Sequence, residues 1–147
     1  MAKQSEEAEV RSVLEEFIRS IYDKDAAGAI TPLADDTVIF DLAPPLRMNP
    51  ADARNPRFLE DWFATWRSPI AMQASDLRVV VGGDIAYAFG LRRMIGVKTD
   101  GEEVDMWFRT TACFAREADT WRITHMHNSV PFAMDGSNRA LLDLQPN

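Results

Sequence analysis

Three side chains suited to acid–base chemistry stand out in the sequence: Asp41, His125 and His127. The histidines lie two residues apart in the run Trp121–Ser129, so both imidazoles point to the same side if this run is a strand. Asp41 ends another apolar run, just before a proline-rich loop. A carboxylate and two imidazoles beside an aromatic-rich interior predict a pocket for a small molecule, in which these groups could move protons.

Asp41 has two interpretations. An Asp before a proline-rich loop commonly caps a turn by accepting hydrogen bonds from backbone N–H groups. As a pocket acid, Asp41 would instead lie near Phe40, Leu42 and Trp62, whose apolar surfaces would disfavour the charged carboxylate. The sequence alone leaves both interpretations open.

The histidine pair has three interpretations. The spacing suits a metal ion, but zinc needs at least one more protein ligand and no ligand motif accompanies the pair, so neither a metal nor a cofactor is predicted. The imidazoles can serve as pocket bases or hydrogen-bond donors, because imidazole titrates near neutrality. They can also have a structural role, with hydrogen bonds across strands or at a subunit interface.

The direction of the two histidines depends on strand register. With a tight turn near Ala118, Phe114 pairs with Ile123 and both imidazoles share the apolar face, which is the arrangement we favour. A one-residue bulge would instead turn the histidines outward and bring in Met126 and Asn128.

Helices come first in the chain and strands afterwards. Apolar residues at helical spacing between Val10 and Ile21 predict an amphipathic helix with Ser5 as its N-cap, and shorter helices are predicted to start near Asp25 and Pro56. After Pro69 the pattern has period two, and the turn signals lie at 82–83, 100–101 and 118–119. Helices followed by antiparallel strands predict one α+β domain over residues 1–147.

Alternation along residues 85–97 assigns side chains to two faces of the sheet. The large side chains of Ile85, Tyr87 and Phe89 are predicted to face the core. The small residues Ala86, Ala88 and Gly90 are predicted to lie on the outer face. Trp107 and Arg109 of the next strand are assigned to the same outer face. Such a surface is poorly suited to water and predicts a homodimer through the sheet face. Arg109 either clamps a ligand carboxylate or, as we favour, pairs with an acid across that interface.

Composition limits the partners. The net charge of −7 over 147 residues argues against a nucleic acid or an anionic membrane. No apolar run is long enough to span a bilayer, and the first residues are polar. A single cysteine, Cys113, rules out an internal disulfide, and we expect a cytoplasmic protein.

Two strings carry a family resemblance: ADDTVIFD at 34–41 and WxIxHxHxSxP at 121–131. With the order of elements, they resemble the nuclear-transport-factor-2-like superfamily, in its SnoaL-like and ketosteroid-isomerase-like branch, over roughly residues 6–132. The second string is also similar to the end of the association domain of calcium/calmodulin-dependent protein kinase II. The resemblance implies a cone-shaped NTF2-like fold, with three N-terminal helices packed on a curved antiparallel sheet.

The resemblance also implies roles for individual residues. Asp41 corresponds to the carboxylate that shuttles a proton beside a carbonyl in ketosteroid isomerases. Phe17 corresponds to the tyrosine that donates to the oxyanion, and it has no donor, so an efficient steroid isomerase is not expected. Two hypotheses follow: a cofactor-independent isomerase, dehydratase or cyclase that uses Asp41 with an imidazole, or a non-catalytic ligand-binding or dimeric assembly module.

The predicted ligand is an apolar or aromatic small molecule. Its binding residues are predicted to be Phe17, Ile21, Trp62, Phe89, Phe108, Arg109, Met126 and Asn128.

Overall fold

The computed structural model describes residues 2–147. Within this range the chain forms α1 (Ala2–Tyr22), α2 (Ala26–Ile30), β1 (Leu33–Phe40), α3 (Pro50–Ala53), α4 (Pro56–Phe63), β2 (Ala71–Gly82), β3 (Ile85–Val97), β4 (Glu103–Glu117) and β5 (Thr120–Ser129). None of these helices is long and apolar enough to cross a membrane.

The strands form one curved sheet in the order β1-β5-β4-β3-β2. The strands from β2 to β5 make an antiparallel meander, and the predicted α+β class is confirmed. The sheet departs from the antiparallel expectation at one edge, where β1 pairs with β5 in parallel. A parallel pair requires a long connection, and here two helices and three strands separate β1 from β5.

The first helix packs its apolar stripe against the sheet. Val10, Leu14, Phe17 and Ile21 are buried at spacings of three and four residues, as an amphipathic helix requires. The helix begins at Ala2, earlier than the predicted start after Ser5.

The second helix is short, as predicted. It ends at Ile30, before Pro32, and Asp25 caps it by accepting a 3.0 Å hydrogen bond from the Gly28 N–H.

The two faces of β3 are the reverse of the prediction. Ala86 is buried between Val81 of β2 and Phe114 of β4, which already fill the interior at this level. The large side chains of β3 therefore face outward, and their exposed fractions are 67% for Ile85, 44% for Tyr87 and 40% for Phe89. The period-two pattern predicts the alternation of side chains correctly. Because both faces of β3 carry apolar residues, the pattern does not indicate which face packs against the core.

A one-residue bulge sets the register of β5. Phe114 pairs with Ile123 as predicted, but Cys113 then pairs with His125, so Thr124 is the extra residue. The Thr124 hydroxyl donates to the Cys113 carbonyl at 3.2 Å, which bonds the bulge to β4.

Because of the bulge, the prediction that His125 and His127 face inward is wrong. Met126 is 6% exposed in the core, and Asn128 is half-buried on the same inner face. His125 and His127 lie on the outer face. Turning imidazoles outward avoids the cost of burying their polar nitrogens without partners.

The inward position of Asn128 can be tested through its partner, Thr110. The buried Thr110 hydroxyl donates to Asn128 Oδ1 at 2.7 Å. Thr110→Val keeps the shape but loses this bond, so we expect the free energy of unfolding to fall by about 1–3 kcal/mol in urea titrations. Thr111→Val, on the exposed face, is the matched control and should change it by less than about 0.5 kcal/mol. Equal effects of the two substitutions would contradict this register.

Candidate functional site

Parallel pairing of β1 and β5 brings the ends of the two strands together beside the proline-rich loop. Phe40 pairs with His127, so the residues that follow each strand are neighbours. They enclose an open cleft of about 860 Å³, which we call the loop cleft, lined by residues 40–47 and 127–130. Asp41, His127 and Asn128 all line it, so two of the three predicted catalytic residues share this cleft.

Asp41 is held by hydrogen bonds to one of its two oxygens. Its Oδ1 accepts from the Leu42 N–H at 2.8 Å and from the Asn128 side-chain amide at 3.2 Å. The Asn128 Oδ1 in turn accepts from Thr110, which orients the amide group toward Asp41. Within residues 2–147 we find no hydrogen bond to Asp41 Oδ2. The backbone bond fits the turn-cap interpretation, and the second oxygen keeps the acid–base interpretation open.

Of the apolar neighbours predicted for Asp41, Phe40 and Leu42 line the loop cleft with it, but Trp62 does not. Asp41 is exposed, and neither Trp62 nor Phe89 lines the loop cleft. Phe17 is 8% exposed and belongs to the core. The carboxylate therefore faces an open cleft lined by apolar loop residues rather than an enclosed aromatic cavity.

The two histidines have different environments. Nδ1 of the half-buried His125 lies 2.6 Å from the Val38 carbonyl oxygen. Because a carbonyl only accepts, Nδ1 carries the hydrogen and donates it, and this bond links β5 to β1. Both imidazoles contact Phe40 edge-on, with ring centroids 4.7 Å and 5.4 Å away. His127 is exposed in the loop cleft, whereas His125 does not line it.

No group of three His, Cys, Asp or Glu side chains in the described part of the chain is arranged to hold a metal ion. The single thiol, Cys113, lies half-buried on β4, and this burial raises its pKa.

The other predicted binding residues lie outside the loop cleft. Trp62 packs edge-to-face on Trp66 at 5.9 Å, and both Phe89 and Arg109 are exposed on the outer face of the sheet. The remaining four are buried in the hydrophobic core: Phe17, Ile21, Phe108 and Met126. Of the eight, only Asn128 lines this cleft.

A second cleft, which sequence reasoning missed, lies between α1 and the β2–β3 edge of the sheet. This helix cleft has a volume of about 530 Å³ and is lined by Arg11, Leu14, Glu15, Ile18, Arg19, Tyr22, Ala71, Met72, Ala74, Leu77 and Arg92. Arg92 is 6% exposed, and desolvation lowers its pKa to about 10. The Arg92–Arg93 pair is the sequence signal that could have predicted this cleft. Adjacent strand residues face opposite sides of a sheet, so one of the two arginines had to face inward.

Solved structures with the same fold are numerous. An NTF2-like protein of unknown function from Pseudomonas putida KT2440 is 30% identical, with 97% of this chain and 98% of that chain covered at a TM-score of 0.85. A proposed dehydratase of the NTF2-like family from Streptomyces avermitilis is 16% identical, with 89% and 99% covered at a TM-score of 0.76. The kinase II association domain of C. elegans is 14% identical, with 88% and 98% covered at a TM-score of 0.69. The last two similarities concern the fold alone.

Comparison with curated proteins gives no match. The model of the SnoaL-like domain matches residues 10–133, which include the larger part of α1, the whole sheet and both clefts. The fold and this match together identify the chain as a member of the SnoaL-like domain family, within the NTF2-like superfamily.

Proposed function

We propose that the protein is a cofactor-independent acid–base enzyme that acts on an apolar small molecule in the loop cleft. Asp41 takes a proton from a carbon beside a carbonyl group, and His127 donates a hydrogen bond to the carbonyl oxygen as negative charge develops there. If the proton returns to another carbon, the reaction is an isomerisation. If the substrate instead loses a neighbouring hydroxyl, which leaves with a proton as water, the reaction is a dehydration. The observation that carries the proposal is that Asp41 and His127 line one cleft.

The hydrogen bonds of Asp41 suit a general base. Leu42 and Asn128 both donate to Oδ1, so they fix the plane of the carboxylate without occupying Oδ2. A base held in one orientation reaches its substrate without a further loss of rotational freedom. The buried Thr110 supports this orientation from the core side through Asn128.

The lining of the loop cleft favours an apolar or aromatic substrate. Its volume of about 860 Å³ lies within the usual range of small-molecule sites, and most lining side chains are apolar. Leu46 at the rim is 98% exposed and would gain an apolar partner when a substrate occupies the cleft.

His127 takes the part that a phenol has in ketosteroid isomerases. The corresponding residue here, Phe17, has no donor and is buried in the core. A carbonyl oxygen that becomes an enolate needs a donor aimed at it, and His127 is the imidazole that lines the cleft. A substrate other than a steroid is therefore expected.

Asp41→Asn tests the general base. The amide keeps an oxygen for both hydrogen bonds but cannot take a proton at neutral pH. The measurement is hydrogen–deuterium exchange at the α-carbons of 3-cyclohexen-1-one in D₂O, followed by proton NMR. Wild type should accelerate exchange by about 100- to 10,000-fold over buffer, and Asp41→Asn should abolish this acceleration with a nearly unchanged melting temperature. Retained exchange together with a clear loss of stability would make Asp41 a turn cap and overturn the enzymatic proposal.

The two histidines provide a matched pair of variants for the same assay. His127→Phe should slow exchange by roughly 100-fold, because the ring remains but the hydrogen-bond donor at the cleft is lost. His125→Phe should leave the rate per folded molecule unchanged, because His125 bonds Val38 outside the cleft. Equal losses from both variants would remove His127 from its proposed role.

We also infer that the protein assembles as a homodimer through the outer face of the sheet. Val80 of β2 pairs with Tyr87 of β3, and Tyr87 stacks on Phe89 at 6.1 Å. With Ile85 they form an exposed apolar patch, each side chain between 37% and 67% exposed. A patch of this kind marks an interface more often than a free surface. The C. elegans neighbour is itself an association domain, which supports assembly through this fold.

Phe89→Glu tests the dimer. A carboxylate at the centre of an apolar interface would be buried without a partner, so we expect sedimentation velocity to give a mass near 16.6 kDa in place of twice that value. Leu142→Glu, at a 50% exposed residue of the C-terminal tail, is the control and should leave the dimer intact. A wild-type monomer at micromolar concentration would contradict the inference.

A further inference from the structure

Arg92 is a buried arginine whose charge has no ion-pair partner among the residues that the structure describes. It lies on the inner face of β3, between Ala74 of β2 and Phe108 of β4 in register. Its exposed fraction is 6%, and within the described residues it takes part in no ion pair. Buried arginines are normally paired, because an isolated buried charge is costly.

The guanidinium of Arg92 reaches the open volume of the helix cleft. The fully enclosed polar atoms without a partner in residues 4–147 belong to Thr37, Trp66 and Trp121, and none belongs to Arg92. Arg92 also lines the cleft. Its nitrogens are therefore covered by the protein on most sides and open toward this cleft.

Arg93 and Arg116 pair with carboxylates. Arg93 makes two 2.7 Å hydrogen bonds to Asp105 on the outer face. Arg116 contacts Glu6 and Asp84. These paired arginines are more exposed to solvent than Arg92. Arg92, whose burial makes an unpaired charge most costly, therefore lacks the carboxylate that these more exposed arginines have.

The cleft is locally positive although the whole chain carries a net charge of −7. Arg11 and Arg19 of α1 line it with Arg92, and Glu15 is the one acid in its lining. Arg11 donates to the Leu77 carbonyl at 3.0 Å, which fixes its position near β2. The rest of the wall is mostly apolar: Leu14, Ile18, Ala71, Met72, Ala74 and Leu77.

We propose that the helix cleft binds a small monocarboxylate with an apolar body, with the carboxylate on Arg92 and the body along the apolar wall. A guanidinium offers parallel N–H donors that match the two oxygens of a carboxylate. One buried guanidinium balances one negative charge, and the volume of about 530 Å³ accommodates a small molecule. The lowered pKa of Arg92, about 10, still keeps the group charged at neutral pH before a ligand arrives.

This site is separate from the loop cleft. The two clefts share no lining residue, so carboxylate binding does not depend on the acid–base activity proposed for Asp41. The carboxylate can be a substrate of another enzyme or a regulator, and its recognition chemistry is the same in both cases.

Titration calorimetry with sodium octanoate tests the site. Wild type should bind octanoate, and Arg92→Met should weaken binding by roughly ten-fold or more, because the ligand charge loses its partner. Arg93→Met is the matched control and should bind like wild type, since Arg93 faces the opposite side and pairs with Asp105. Octanamide, which lacks the charge, should bind wild type roughly ten-fold more weakly or worse. Asp41→Asn should bind octanoate normally, which separates this result from the loop cleft.

Stability without ligand distinguishes a binding arginine from a structural one. Because Arg92→Met removes an unpaired buried charge, its urea midpoint without octanoate should equal or exceed that of wild type. A clearly lower midpoint would mean that the protein itself stabilises Arg92, and would overturn the proposal. Arg92→Lys, which keeps the charge but loses the fork, is a second variant and should bind octanoate more weakly than wild type.

Three binding results would also overturn the proposal. They are no octanoate binding by wild type, equal affinities of Arg92→Met and Arg93→Met, and binding of inorganic phosphate in preference to octanoate. The last result would indicate an oxyanion site without a place for an apolar body.

Discussion

The bulge at Thr124 decides which side chains β5 presents to the core. Before it, Ile123 packs in the interior, and after it Met126 does, although an unbroken strand would continue inward at His125. One extra residue therefore exchanges two imidazoles for a thioether and an amide on the inner face. It also leaves His125 on the outer face, where its Nδ1 bonds the Val38 carbonyl of β1.

The position of Asp41 depends on the same strand. Parallel pairing of β1 with β5 aligns Phe40 with His127, so the residue after β1 meets the amide of Asn128. Without the bulge, Asn128 would turn outward and could not bridge the buried Thr110 to Asp41. Strand register therefore determines the orientation of the candidate base, Asp41. It does so through the hydrogen bonds that link the buried Thr110 to Asn128 and Asn128 to Asp41.

The sequence predicted most of the elements, although not the short α3, but it did not predict correctly which faces of β3 and β5 are buried. The helical spacing from Val10 to Ile21 and the turn signal at 82–83 predicted α1 and the β2–β3 hairpin, because these depend on local periodicity. The orientation of β3 was wrong because large residues such as Phe89 and small ones such as Ala88 are both apolar, and only the packing of neighbouring elements selects between them. The bulge could be stated only as an alternative, because nothing local marks Thr124 as an extra residue.

Packing of the core also explains where binding is to be expected. Phe17 is a large apolar ring that packs with Ile21, Phe108 and Met126 in the hydrophobic core. Both clefts lie outside this packed centre, one at the strand ends and the other beside α1. Each of these two clefts contains a charged group that the protein leaves partly unsatisfied, one oxygen of Asp41 in the first and the guanidinium of Arg92 in the second. Burying an unpaired charge lowers stability unless a ligand completes it, which is the usual cost of a binding site prepared in advance. The two charged groups differ in burial. Asp41 is exposed and can be hydrated when its cleft is empty, whereas Arg92 is buried and largely cannot. A ligand should therefore stabilise the fold more when it binds the helix cleft than when it binds the loop cleft.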